Sequence, residues 1–298
     1  MELRIGEQFD EFEVVEKIGS GSFSNVYLAH DTVLERMVVL KQLRHDLTGD
    51  DNEWAAFINE AQITASFFHP GLITVHGLRV NDHAPYAVLV LEYMDGGTLR
   101  DMIDDNGGLD LDLVWNLAFQ VGNALNYLHR RGIVHRDIKP ENILYSKETN
   151  WFKLTDFGLV YHPERPEFEE INDGQPGTLH YMSPEQSQDH EVDERSDQYT
   201  LASVLYEALS GAYYLPLDQD EEDQDIIFQH ILNDLPNRLP PVHTDTVLVE
   251  KLEDVLLKAL SKKPRKRYKS VSRFIRDFTR VIEYMESAQD ALTSEETA

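Results

Sequence analysis

Cysteine is absent from the 298 residues, so neither a disulfide framework nor a thiolate metal site can form. No apolar run approaches the ~18 residues that a membrane span needs. The opening MELRIGEQFDEFEVVEKIG lacks the basic start and apolar stretch of a secretory leader. The expectation is a soluble chain without membrane contact, with the cytoplasm as its default compartment. Basic residues are scarce, 27 Lys+Arg against 54 Asp+Glu, for a net charge of −27. That sign repels nucleic acid and anionic membranes and attracts basic partners. It reads either as a preference for basic partners or as a solubility feature spread over the surface. Internal repeats are also missing.

What is present is enough for a substantial core. Apolar residues make up 41% and aromatics 10%, which excludes a disordered composition despite the charge. The length suits two domains, or two lobes around one cleft. Strand patterns dominate the first ninety residues: 12–18, 25–29, 37–43, 72–75 and 86–91. One helical stretch interrupts them over 54–68, where Phe57, Ala61, Thr64 and Phe68 recur at helical spacing before His69-Pro70-Gly71. After a short Met94–Gly97 hinge the pattern turns helical, with segments at 113–130, 197–209, 247–260 and 271–285. The last residues, SAQDALTSEETA, are polar and expected to fray.

The candidate chemistry begins at Gly19-Ser20-Gly21-Ser22-Phe23-Ser24, where glycines let backbone N–H groups approach phosphate oxygens. Alone this is a weak signal, since any strand–turn–strand could contain it. Lys41 stands in the strand Val38-Val39-Leu40-Lys41. Either it lies on an exposed strand face, or it is a cation for phosphates paired with a helix carboxylate, for which Glu60 is the candidate. The decisive segment is Ile133-Val134-His135-Arg136-Asp137-Ile138-Lys139-Pro140-Glu141-Asn142-Ile143-Leu144, followed fourteen residues after Asn142 by Asp156-Phe157-Gly158.

With these motifs in this order the chain resembles the protein kinases, from about Phe12 to Met285. The resemblance implies an α+β, bilobal fold. Its N-lobe (12–93) would be β-rich and five-stranded with one main helix. A mainly α-helical C-lobe (94–285) would follow, flanked by an extension over 1–11 and an acidic, flexible tail over 286–298. It implies transfer of the γ-phosphoryl group of Mg·ATP, with Mn²⁺ as a possible substitute metal. Asp137 resembles the catalytic base, and Asn142 and Asp156 the metal ligands. Lys41 and Glu60 resemble the activating ion pair. Gly19, Ser20, Gly21, Ser22 and Phe23 would cover the phosphates. Val26, Val39 and Leu144 would sandwich adenine, the backbone of Glu92 and Met94 would meet it, and Leu91 stands at the gatekeeper position.

Lys139 and Thr178, the latter in Gly177-Thr178-Leu179-His180-Tyr181-Met182-Ser183-Pro184-Glu185, match the serine/threonine kinases rather than the tyrosine kinases. Glu185 is expected to pair with Arg267, and Asp197 to hold the catalytic-loop backbone around His135 and Arg136. The Tyr-Met-Ser-Pro-Glu-Gln stretch is similar to the eukaryotic-type kinases of bacteria. Protein substrates, with basic segments as one option, are the implied partners, with Glu207, Glu141 and the 221–223 cluster as candidate contacts. The other histidines, including His129, His190 and His230, have no metal-ligand spacing and read as ordinary residues.

The sequence also departs from the family pattern. Ser24 replaces a third glycine, Val39 an alanine above adenine, Thr64 an apolar position four after Glu60, and Ala202 a glycine. Between Gly158 and Thr178 there is no serine or threonine, but Glu164, Glu167, Glu169, Glu170 and Asp173 lie there. Either these form a plain acidic loop, or they stand in for a phosphate on Arg136 and make loop phosphorylation unnecessary. Two rival functions remain. One is a pseudokinase-type scaffold or allosteric module, which predicts loss of Lys41, Asp137, Asn142 or Asp156. The other is a small-molecule kinase, which predicts loss of the 177–185 platform. The sequence keeps all of these.

Overall fold

The computed structural model of the chain describes residues 2–81, 86–161, 179–188, 190–218 and 221–296, with side chains described as far as 288. The chain divides into two compact units, Met1–Asp95 with Asp156–Gly158, and Gly96–Thr155 with Leu159–Ala298.

The first unit is built on an antiparallel sheet of six strands: β1 (Gln8–Phe9), β2 (Phe12–Ser20), β3 (Ser24–Asp31), β4 (Arg36–Leu43), β5 (Val75–Asn81) and β6 (Tyr86–Glu92). Their order is β1-β2-β3-β4-β6-β5. The five expected strands are joined by the two-residue β1. Alternation along each strand separates two faces. Tyr27, Ala29, Val38, Leu40, Val88 and Val90 form one side, a core closed by Phe12, Val14 and by Leu3 and Phe9 from the N-terminal segment. Val26, Leu28, Val39, Lys41, Leu89 and Leu91 therefore share the opposite side. The 72–75 run is corrected: Leu72 and Ile73 are buried loop residues, and the strand begins only at Val75. Leu72 N–H closes a turn onto the His69 carbonyl at 3.0 Å, which delays the strand.

Helix α1 (Asp51–Ala65) is started by Asp50, whose carboxylate accepts from Asn52 and Glu53 N–H. Phe57, Ala61 and Thr64 face inward as their spacing predicts. Phe68 does not belong to that face. It lies beyond the helix and is 94% exposed, because the helix ends at Ser66, whose N–H and hydroxyl turn back onto Ile63 O.

The second unit contains α2 (Leu99–Asn106), α3 (Leu111–His129), the hairpin β7 (Ile143–Ser146) and β8 (Trp151–Leu154), α4 (Glu194–Ser210), α5 (Gln224–Asn233), α6 (Thr246–Ala259) and α7 (Val271–Glu296). Helix α4 is buried almost end to end, as its apolar run predicts. Helix α3 packs on α7 so closely that a Cβ on Gly122 would lie 2.4 Å from Ile275. Glycine is required there by packing. Helix α7 continues to Glu296, well past the Met285 boundary, so the polar residues from 286 extend the helix by about three turns.

Candidate active site

On the first unit, Lys41 projects from β4 on the face opposite the main core. Its Nζ lies 2.6 Å from Glu60 Oε1 on α1 and 3.7 Å from Asp156 Oδ1. Burial works against the ammonium, but the two carboxylates outweigh it and push the Lys41 pKa up. Burial pulls the Glu60 carboxyl up, opposed by Lys41 and assisted by the Asp156 charge. One ammonium thus serves two carboxylates. The Asp156 side chain is 43% exposed, and a carboxylate sharing a single cation in this way suits a hard divalent ion. Asp156 has φ 64, a left-handed conformation that aspartate tolerates and that clusters at functional sites. Phe157 anchors the turn: it is 1% exposed and tilted against Phe67 at 5.1 Å.

The Gly-rich turn joins β2 to β3. Neither Gly19 nor Gly21 has a left-handed φ, and an added Cβ would come no nearer than 3.5 Å and 3.6 Å to any atom. The fold does not demand glycine at these two positions; close approach of the backbone to a ligand would. Ser24, in place of the third glycine, is the first residue of β3 and pairs with Leu43, a position any residue can occupy. Val26 and Val39 are half-buried on the Lys41 face, Leu91 is buried, and Met94 follows β6 at 7% exposure. Glu92 is tied to Thr74 twice, through its N–H at 3.0 Å and its Oε1 at 2.6 Å.

On the second unit, the segment after α3 carries Asp137. Its Oδ2 lies 2.9 Å from Lys139 Nζ and accepts from Asn142 Nδ2 at 2.7 Å. The same Nδ2 also donates to the Asp137 carbonyl at 2.9 Å. With its nitrogen committed to these oxygens, the Asn142 amide has its orientation set and turns Oδ1, a hard donor, the other way. His135 is fully buried, and its Nδ1 accepts the Asp137 N–H at 3.3 Å. Arg136 has φ 69. That strained backbone is held by Asp197 on α4, whose carboxylate accepts the N–H groups of His135 and Arg136, both at 2.9 Å. His129 Nε2 meets the same carboxylate at 2.7 Å. Burial raises the Asp197 pKa, but His129, His135 and their hydrogen bonds prevail and lower it. Leu144 sits on β7, bridged to Thr98.

Glu185 and Arg267 form the expected pair, a buried fork at 2.6 Å and 2.8 Å. Ser196 donates to Glu185 at 2.5 Å, and Arg267 donates further to the carbonyls of Arg195 and Ser261. Burial opposes the Glu185 charge, but Arg267 prevails and its pKa is lowered. Thr178 and the acidic residues Glu164, Glu167, Glu169, Glu170 and Asp173 lie outside the described residues.

Three residues escaped the sequence reading. His129 is no ordinary histidine but a partner of Asp197, 68 residues away. Gln186 donates to the Arg136 carbonyl at 2.8 Å. Glu207, a candidate contact for basic substrates, is fully buried. It accepts from Arg100 at 2.7 Å and from Tyr181 at 2.5 Å, so its charge is already answered inside the fold. No spacing rule in the sequence links such distant partners.

Among the described residues no helix is long and apolar enough to cross a membrane. A family model described as the protein kinase domain matches residues 12–278. The serine/threonine-protein kinase PknB of Mycobacterium leprae (strain TN) is 35% identical over 274 residues, covering 91% of this chain and 43% of that protein. The serine/threonine-protein kinase PrkC of Bacillus subtilis (strain 168) is 34% identical over 259 residues, covering 87% and 38%. The chain thus spans less than half the length of these curated relatives. The crystal structure of the Mycobacterium tuberculosis PknI kinase domain aligns with a TM-score of 0.68 at 26% identity, covering 94% of this chain and 100% of that one. The chain belongs to the protein kinase family, and within it resembles the bacterial members of the eukaryotic-type serine/threonine branch.

Proposed function

We propose that the chain transfers the γ-phosphoryl group of Mg·ATP to serine or threonine hydroxyls of protein substrates. The observation that carries this reading is the Asp137 carboxylate, gripped by Lys139 and Asn142 within 2.9 Å on a loop fixed by a buried aspartate. The protein kinase family uses ATP and a divalent metal, generally Mg²⁺. When bound, the metal neutralises charge on the phosphates. Asp156 and Asn142 Oδ1 are the donors proposed to hold it.

In this reading Asp137 orients the substrate hydroxyl and accepts its proton. The hydroxyl oxygen bonds to the γ-phosphorus, the bond to the β–γ bridging oxygen breaks, and ADP leaves with that electron pair. Lys139 and Thr178 neutralise and position the transferred group. Lys41, oriented by Glu60, takes the α- and β-phosphates. The backbone of 19–23 covers them. Val26, Val39 and Leu144 enclose adenine, with Leu91 at its rear and the backbone of Glu92 and Met94 at its edge. Little covalent participation is asked of the protein, since positioning and electrostatics supply most of the rate. A scaffold without activity needs none of these groups, yet Lys41, Asp137, Asn142 and Asp156 are all present and engaged in two pairs, Lys41 with Asp156 at 3.7 Å and Asn142 with Asp137 at 2.7 Å. That favours the enzyme over the pseudokinase.

The test is transfer of labelled γ-phosphate to a basic generic protein, with Asp137→Ala as control, followed by phosphoamino-acid analysis. Label on serine or threonine that disappears in Asp137→Ala is expected. Nucleotide binding without any transfer would identify a scaffold instead. The proposal extends to activation: with no serine or threonine between Gly158 and Thr178, the loop's carboxylates take the part of a phosphate against Arg136. Joint replacement of Glu167, Glu169 and Glu170 by alanine should then cut turnover by an order of magnitude or more. Unchanged turnover removes this extension and leaves the rest standing.

A further inference from the structure

The first unit holds a polar recess of about 490 Å³ behind the Gly-rich turn, lined by Glu2, Lys17, Ser20, Asn25, Arg44, His45 and Asp46. Of these residues only Ser20, through its backbone, figures in the phosphoryl chemistry above. Its walls nevertheless grip the turn from both ends. On one side Ser20 donates its hydroxyl to Asn25 Oδ1 at 2.9 Å, and Asn25 Nδ2 donates to Glu2 Oε1 at 3.4 Å. Gly21 N–H closes onto the Ser24 carbonyl at 2.8 Å. On the other side the Arg44 backbone N–H donates to the Phe23 carbonyl at 2.9 Å. The Arg44 side chain then reaches the tip, with Nη1 donating to the Ser22 carbonyl at 3.2 Å. Asp46 takes two further donors: Nε at 3.1 Å to Oδ1 and Nη2 at 2.8 Å to Oδ2.

We propose that Arg44, oriented by Asp46, is a positioning residue that holds the tip of the Gly-rich turn in its nucleotide-receiving conformation. This rests on the reading of that turn as the phosphate cover. The physical reason is preorganisation. A turn with glycines and serines loses much conformational entropy when it orders around a ligand, and a turn already held loses less on binding. Only a planar fork can do this. One edge of the guanidinium, Nε and Nη2, binds the Asp46 carboxylate, and the rigid plane then aims Nη1 at the Ser22 carbonyl, a geometry that a lysine ammonium cannot reproduce. The Arg44–Asp46 pair is largely exposed, its side chains 39% and 61% accessible, so it contributes little to global stability. Its effect falls on the turn.

The experiment uses the full chain and its Arg44→Lys and Asp46→Asn variants, with Mg·ADP binding measured by calorimetry and KM measured separately for ATP and for a protein substrate. Each variant should weaken Mg·ADP binding and raise the ATP KM by about three- to tenfold, the equivalent of one hydrogen bond. The protein-substrate KM should hold, and the thermal midpoint should move by no more than about 2 °C. Wild-type affinity for Mg·ADP in both variants overturns the proposal, as does a parallel rise of both KM values, which would mean general loosening. If the wild-type chain binds no Mg·ADP at all, the kinase reading falls and this proposal with it. If the wild type binds and the variants bind equally well, the proposal falls alone.

Discussion

Asp197 Oδ2 and His129 Nε2 lie 2.7 Å apart, joining the first turn of the buried helix α4 to the end of α3 beside the loop that carries Asp137. The same carboxylate accepts two backbone N–H groups at His135 and Arg136, where the chain takes a left-handed turn at Arg136. One buried anion therefore supports the strained backbone on which the proposed base depends.

Removing that anion should be severe. Asp197→Ala leaves three buried donors without an acceptor and should cost about 3–5 kcal/mol of stability. It should also lower kcat by about a hundredfold or more through misplacement of Asp137. Asp197→Asn keeps an oxygen acceptor and should be milder, at about 1–2 kcal/mol. Urea unfolding and initial rates measure both. The depressed Asp197 pKa gives stability above the ordinary carboxylate range that is lost as pH falls through the folded value. The wild type should thus lose more stability in acid than Asp197→Asn does.

Arg100 and Glu207 give a second test. Glu207 is fully buried and Arg100 is its ion-pair partner at 2.7 Å. Arg100→Ala should strand the charge, at a cost of about 3–5 kcal/mol, while Glu207→Gln in the same background should restore part of it. A double-mutant cycle in urea measures the coupling. Loss of Glu207 alone without any change in preference for basic substrates is also expected, since its carboxylate is already engaged.

Thr64 departs from the apolar residue usual at its place. Its hydroxyl donates to the Glu60 carbonyl four residues back at 2.7 Å, in a side chain only 3% exposed. The hydroxyl is satisfied within the helix, so the departure leaves no orphan group. Thr64→Val should change stability by less than about 1 kcal/mol in either direction. A larger loss in thermal unfolding would mean that this bond helps to hold Glu60 toward Lys41.

Lys262 supplies the test in alkali. Its Nζ lies 3.5 Å from the Tyr199 hydroxyl. Burial, opposed by Asp234 and joined by Arg267, lowers its pKa to about 8. Below pH 8 both folded and unfolded chains carry the charge, and the folded chain bears the full burial penalty. Between pH 8 and the ordinary lysine value of 10.5 the unfolded chain binds more protons, so stability rises with pH. Lys262→Met should therefore stabilise the protein by about 1–2 kcal/mol at pH 7, and the gain should shrink by about pH 9.5. A gain independent of pH would point to packing alone.

The sequence by itself determined which groups exist and the order in which the chain presents them. Alternation along 12–43 and 86–91, the helical period of α1 and the apolar run of α4 follow from local rules, because side-chain direction is set by the backbone period. The motifs at 19–24, 135–142 and 156–158 were legible because each is a short run whose residues lie together along the chain. Local rules misplaced the start of β5 and the end of α1, where turns formed by His69 and Ser66 decided the boundary. Only the tertiary structure decided the fate of His129, Glu207 and Arg44. Each is defined by a partner brought near through folding, and whether a charge is answered or left over depends on which distant group fills the space beside it.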